Sequence, residues 1–149
     1  MAEVSCSRVI RARPEEIWAV LADFGAAAGW ADGVDHCSLL RQTADSPGVG
    51  TARRVQVGRD TFVETITDFQ VGRVLAYDIA GLPPSVSANN RWTLHPDSTT
   101  TTAVTLTSTV RASHGPLRRA GERGLARIMA RRSRALLASL ATASEGVTV

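Results

Sequence analysis

The sequence predicts an α+β domain in which a curved, seven-stranded antiparallel sheet wraps one long C-terminal helix, with two short helices between the first and second strands. Three observations point that way. Between Val34 and Val110, short runs rich in Val, Thr and aromatic residues alternate with tight turn signals, the texture of a meander of consecutive antiparallel strands. Beyond Pro116 no proline occurs as far as Ala143, and apolar residues recur at Leu117, Leu125, Ile128, Met129, Leu136 and Leu140, which is helix spacing. A chain of 149 residues also suits a single domain spanning 1–149, because two halves would each be too small to bury a good core.

The elements follow in order. Glu3–Ala12, rich in Val, Ile and Ser, reads as the first strand. Pro14 suits the first turn of a helix and Glu15 and Glu16 its positive end, while Ile17, Trp18, Val20 and Leu21 supply its buried side. That helix should end near Asp23-Phe24-Gly25, and a second helical piece through Ala26–Ala28 leads to Trp30. Strands are then expected over Val34–Arg41, Thr51–Val57, Thr61–Phe69, Val74–Ile79 and Ser87–His95, with a Thr-rich strand running through Val110. Gly58-Arg59-Asp60 is short enough to close a hairpin. On the final helix, Gly121 and Gly124 fall on the apolar stripe and are expected to let helix and sheet approach closely at one end. Elsewhere the concave face should be wider than side chains fill, leaving an internal apolar cavity of the kind that binds small molecules.

Composition narrows the function. All 17 basic residues are Arg and the formal net charge is +3. With no Lys in the chain, no side chain can form a Schiff base with a carbonyl substrate. The Arg residues on the last helix (Arg118, Arg119, Arg123, Arg127, Arg131 and Arg134) carry no interleaved aromatics or nucleic-acid motif, so nucleic acid is not an expected partner. A solvated face is the simple reading, and phosphate or an acidic acyl-carrier protein are the partners such a face would suit. Cys6 and Cys37 form no CxxC pair, and the three His and two Cys lack metal-ligand spacing. No cofactor and no metal are therefore expected. The start of the chain shows no basic stretch followed by an apolar one, and no run approaches a membrane span. A soluble, cytoplasmic protein with reduced thiols is expected. The oligomeric state stays open, a homodimer included.

Taken in order, Arg8-Val9-Ile10, Pro14-Glu15-Glu16-Ile17-Trp18, Asp23-Phe24-Gly25 running to Trp30, Gly50-Thr51-Ala52-Arg53, Glu64 through Asp68 and Leu75-Ala76-Tyr77-Asp78-Ile79 resemble the START-like, helix-grip (SRPBCC) superfamily, specifically its polyketide cyclase/dehydratase and lipid-transport branch. The resemblance covers nearly the whole chain. It implies a helix-grip fold enclosing a ligand cavity, and leaves the activity open among cyclases, aromatases, lipid carriers and receptors.

Strand parity indicates which side chains face inward. It groups Phe62, Glu64, Ile66 and Asp68 on one face of their strand, and Arg53, Val55 and Val57 on another. Leu75, Tyr77 and Ile79 form a third such group, and Ala88, Asn90, Trp92 and Leu94 a fourth. The resemblance implies a pocket residue at Glu64. The functional reading is a pocket of Arg53, Glu64, Tyr77, Asn90 and Trp92, walled by Phe62, Val55, Val57 and Ile79, with Trp30 at its entrance. A carboxyl at Glu64 in apolar surroundings would have a raised pKa and exchange protons near neutral pH. Tyr77 would donate to a carbonyl or enolate oxygen, Arg53 would stabilise developing negative charge, and Asn90 would orient the substrate. Trp92 and Phe62 would stack on a flat ligand.

The plainer alternatives stand beside these. Glu64 and Arg53 equally fit a cross-strand ion pair, exposed or at the rim. Tyr77 and Trp92 fit pocket walls, Asn90 a partner of backbone, and Trp18 and Trp30 packing. Cys6 and Cys37 could lie on adjacent strands, and read best as small buried hydrophobes. His36, His95 and His114 read as surface residues. Gly81-Leu82-Pro83-Pro84-Ser85 fits either a lid over the pocket or a rigid turn. Two functions follow. One is a cyclase, aromatase or dehydratase working by acid–base chemistry. The other is a non-catalytic carrier, sequestering protein or sensor for a lipid or polyketide.

Overall fold

The computed structural model describes residues 2–42, 47–82, 86–112 and 118–145, with the side chains at 112, 118–123 and 125 outside the description. Strand β1 (Ala2–Ile10) leads into helix α1 (Pro14–Ala22) and a short 3-10 helix (Phe24–Gly29). Strands β2 (His36–Arg41), β3 (Ala52–Val57), β4 (Asp60–Gln70), β5 (Val74–Ala80), β6 (Val86–Pro96) and β7 (Thr102–Ala112) follow, and helix α2 (Arg118–Glu145) closes the chain. All seven strands form one sheet in the order β1-β7-β6-β5-β4-β3-β2, antiparallel throughout. The helical connection between β1 and β2 therefore carries the chain from one edge of the sheet to the other.

Local sequence accounts for these elements. Pro14 occupies the first turn of α1, where a missing N–H costs nothing, and Glu15 and Glu16 lie at its positive end. Ile17, Trp18 and Leu21 turn inward. In β7 the buried residues are Thr102, Val104, Leu106, Ser108 and Val110, the period-2 signature of a one-sided strand. On α2, the buried Leu136, Leu137, Leu140 and Ala141 join Ile10, Ile17, Leu21, Leu75, Leu94, Val104 and Leu106 in one core cluster. Sheet and helix thus meet solidly along the C-terminal half of α2.

Several expectations change. Gly124 is exposed, and a Cβ added there would meet nothing within 4 Å. It is not a close-approach spacer, because the tight packing lies toward the other end of the helix. The surroundings of Gly121 and Leu125, and Leu117 itself, lie outside the described residues. Ile128 is 68% exposed although it falls on the apolar stripe, since its neighbour Met129 takes the inward direction. Cys6 and Cys37 are not on adjacent strands but on β1 and β2, the two opposite edges, and both are half-buried. Asp68 leaves the face of Phe62, Glu64 and Ile66. A register shift between Ile66 and Asp68 turns Asp68 toward the exposed Arg91 (2.8 Å) and Phe69 inward, edge-on to Trp18 at 5.2 Å. Such bulges re-aim side chains and bend strands. His36 and His95 are exposed as expected. His114, and Pro83-Pro84-Ser85 of the suggested lid, lie outside the described residues.

Gly81, just after β5, has φ +107°, and a Cβ there would sit 2.7 Å from the Thr61 carbonyl oxygen and 3.3 Å from Phe62 Cα. Both the backbone angle and the space exclude a side chain. Gly81→Ala is expected to cost about 1–3 kcal/mol, read as a lowered denaturation midpoint with unchanged slope. An unaltered midpoint would mean this turn shifts freely.

Candidate active site

Between the concave sheet and the middle of α2, at Ile128, Met129, Arg132, Ser133 and Leu136, lies a cavity of about 390 Å3, within the usual size for a small-molecule site. Its lining includes Arg53, Val55 and Val57 from β3, and Phe62 and Glu64 from β4. Tyr77 and Ile79 come from β5, Asn90 and Trp92 from β6, and Trp30 from the end of the 3-10 helix. The inward parity of four consecutive strands thus brings together Arg53, Val55, Val57, Phe62, Glu64, Tyr77, Ile79, Asn90 and Trp92, and the 3-10 helix adds Trp30. The register explains the detailed arrangement: Arg53 lies opposite Glu64, and Tyr77 opposite Asn90.

Arg53 and Glu64 are both pocket residues and a cross-strand ion pair, and the pair is buried rather than exposed. Arg53 Nε donates to Glu64 Oε1 at 2.8 Å, Nη2 lies 2.7 Å from the same carboxylate oxygen, and Nη1 donates to the Phe24 carbonyl at 3.0 Å. The guanidinium carbon lies 3.8 Å from the centroid of the Phe24 ring and 5.0 Å from that of Tyr77, a doubled cation–π contact. Glu64 is therefore not an isolated carboxyl in an apolar wall. Arg53 is held on three sides, which suits it to fix Glu64 more than to follow a substrate. Among the described residues, no hydrogen bond is made to Glu64 Oε2.

Tyr77 is buried, and its phenolic oxygen accepts hydrogen bonds from Trp92 Nε1 at 3.2 Å and Asn90 Nδ2 at 3.4 Å. Burial raises the phenol above its ordinary value of 10.0, with the nearby Glu64 carboxylate pushing the same way. The Arg53 charge and the two hydrogen bonds oppose the rise. A folded-state value above the unfolded one stabilises the fold fully below about pH 10, and that contribution is lost as pH climbs through the folded value. Since the chain has a single Tyr, phenolate absorbance reports on this group alone. The folded protein is expected to be less than half ionised at pH 10, with its phenolate absorbance rising at higher pH than that of the unfolded chain. Half-ionisation at pH 10 in the folded protein would contradict the burial.

Sequence reasoning missed several lining residues. Ser108 and Ser133 are polar and buried, Arg132 is half-buried, and Asp60 is exposed. Ser108 was legible, because it interrupts the inward apolar row Val104, Leu106, Val110. Arg132 Nη1 donates to the Asp32 carbonyl at 2.8 Å, and the Asp32 N–H donates to Ser139 Oγ at 3.2 Å. Two hydrogen bonds thus tie α2 to the segment that follows the 3-10 helix. Among the described residues, no group of three His, Cys, Asp or Glu could hold a metal, and no helix is long and apolar enough to cross a membrane.

The sequence that builds this cavity matches a known family model. The model for polyketide cyclase/dehydrase and lipid transport fits residues 1–145. The chain belongs to that family. Solved structures show the same helix-grip, START-like fold. A START superfamily protein from Mycobacterium smegmatis is 16% identical with a TM-score of 0.80, over 99% of this chain and 100% of that one. The Zhui aromatase/cyclase from Streptomyces is 21% identical with a TM-score of 0.78, over 96% and 93% of the two chains. The di-domain ARO/CYC protein BexL is 18% identical with a TM-score of 0.81, over 99% of this chain and 48% of its own. No curated protein matches the sequence. At these identities the structural likeness establishes the fold alone.

Proposed function

We propose that this family member binds a polyketide-like molecule in its cavity and closes a ring in it by aldol condensation and dehydration, without metal or redox cofactor. The observation that carries this reading is the buried row of Glu64, Arg53 and Tyr77 along an otherwise apolar wall. A chain of alternating ketones has acidic C–H groups and carbonyl oxygens, so it needs only a base and an oxyanion donor. Glu64 Oε2 takes the proton from a carbon between two carbonyls. The resulting carbanion attacks a second carbonyl carbon, forming the C–C bond and placing negative charge on that oxygen, where the Tyr77 hydroxyl donates. Glu64 returns its proton to this oxygen, then removes the second C–H proton and passes it to the departing hydroxyl, which leaves as water and makes the ring unsaturated. Arg53 holds Glu64 in place and counters charge that develops beside the Tyr77 ring. Asn90 orients Tyr77, and Trp92, Trp30 and Phe62 pack against the flat product.

Delivery by an acyl-carrier protein belongs to the same proposal. Arg127, Arg131 and Arg134 are exposed on α2 at i, i+4, i+7 spacing, next to the cavity-lining Ile128. The closed Arg53–Glu64 pair favours a second reading, a carrier that releases its ligand unchanged, because a base already engaged by a cation is a weaker one. Mass spectrometry after incubation with free and carrier-bound polyketide chains separates the two. The enzyme reading expects loss of one water per ring formed, faster from the carrier-bound chain at low salt than at high salt. Ligand recovered at unchanged mass and retention time from every incubation would establish the carrier reading instead. Equal rates at both salt concentrations would remove the Arg face from the proposal.

A further inference from the structure

Tyr77, Asn90 and Ser108 face one another directly across β5, β6 and β7, and Ser133 comes down on Ser108 from α2. The Asn90 carboxamide sits with its oxygen toward Ser108 and its nitrogen toward Tyr77, and that orientation sets the direction of donation among these four side chains. Ser108 Oγ donates its single proton to Asn90 Oδ1, at 2.6 Å. In the 3.5 Å contact between Ser108 Oγ and Ser133 Oγ, Ser133 is then the donor. With its oxygen taken, the Asn90 carboxamide turns its nitrogen to Tyr77 Oη. Trp92 Nε1, which can only donate, approaches the same oxygen. A phenol oxygen that accepts twice keeps its own proton for a third direction. Among the described residues no acceptor receives that proton, and Tyr77 lines the cavity.

Ser133 supplies an independent sign. A serine within a helix ordinarily bonds the carbonyl four residues back. Ser139 does so to Ala135 O at 2.9 Å and Thr142 to Ala138 O at 3.1 Å. Ser133, 1% exposed, has no such bond among the described residues and meets Ser108 instead.

We propose that Ser133 and Ser108 are positioning residues that, through Asn90, fix Tyr77 as a one-way hydrogen-bond donor, so that the cavity selects ring ligands carrying an acceptor oxygen over the same skeleton without one. This rests on the reading of the cavity as the ligand site. It extends that reading by assigning the polarity of recognition: a ketone or phenolate oxygen fits, and a hydrocarbon leaves the Tyr77 proton unpaired.

The probes are methyl naphthyl ketone and ethylnaphthalene, one skeleton with and without the carbonyl oxygen. Binding is followed through the Trp92 indole N–H in 15N-labelled protein, assigned with Trp92→Phe. The unaltered protein is expected to bind the ketone roughly three- to tenfold more tightly, with the indole signal shifting more for the ketone. Ser108→Ala frees Asn90 to take the Tyr77 proton, so the ratio of the two affinities should fall to about one, whatever change is common to both probes. Ser133→Ala should weaken the preference, and Ser108→Thr, which keeps the hydroxyl, should restore it. Equal affinities in the unaltered protein, or a Ser108→Ala variant that keeps the ketone preference, would overturn the assigned polarity and leave the cavity reading standing. Binding of neither probe would overturn the cavity reading and the inference with it.

Discussion

Arg53→Met is expected to destabilise the fold by about 3–5 kcal/mol, the largest loss anticipated for any single side chain here. The Arg53 and Glu64 side chains are only 8% and 12% exposed, so the variant leaves a carboxylate stranded in the interior without its cation. It also removes the donor to the Phe24 carbonyl and the guanidinium lying against the Phe24 and Tyr77 rings. The double variant Arg53→Met/Glu64→Leu should regain most of the loss, because a buried ion pair is often replaceable by apolar side chains of similar volume. Denaturant titrations of the four proteins give the coupling energy directly. If the single variant lost less than about 1 kcal/mol, the pair would be behaving as a solvated one, and water would reach the cavity wall at Arg53 and Glu64.

Glu64→Gln is expected to lower kcat on a cyclising substrate by about 10²–10⁴-fold with little change in KM. The amide keeps the shape of the carboxylate and can still accept from Arg53 through its oxygen, but it cannot take a proton from carbon. A paired fall in kcat and kcat/KM would mark an interaction made only in the transition state. Folding of the variant is checked separately by its denaturation midpoint. Turnover equal to that of the unaltered protein would remove Glu64 from the chemistry and leave the Tyr77 donor as the working group of the site.

Much of this architecture was readable from the chain. The period-2 alternation in β3, β5 and β6 identified Val55, Tyr77, Asn90 and Trp92 as inward because parity within an uninterrupted strand is a local property. The Pro14-Glu15-Glu16 start of α1 and the long apolar stripe of α2 are equally local. Parity failed at Asp68, where one extra residue in β4 inverts the faces beyond it, and no residue type there announces the bulge. It failed again at Gly124 and Ile128, since spacing along a helix says which side is apolar but not how far along its length the sheet follows.

Residue order alone therefore determined the elements, their faces and the candidate set Arg53, Glu64, Tyr77, Asn90 and Trp92. Only the folded chain decided that Arg53 and Glu64 are joined inside the cavity, that Cys6 and Cys37 sit at opposite sheet edges, and that Ser133 reaches Ser108. Those facts depend on which strands become neighbours and where α2 lies across them. They join residues far apart in the chain, and neither periodicity nor propensity carries information over such distances.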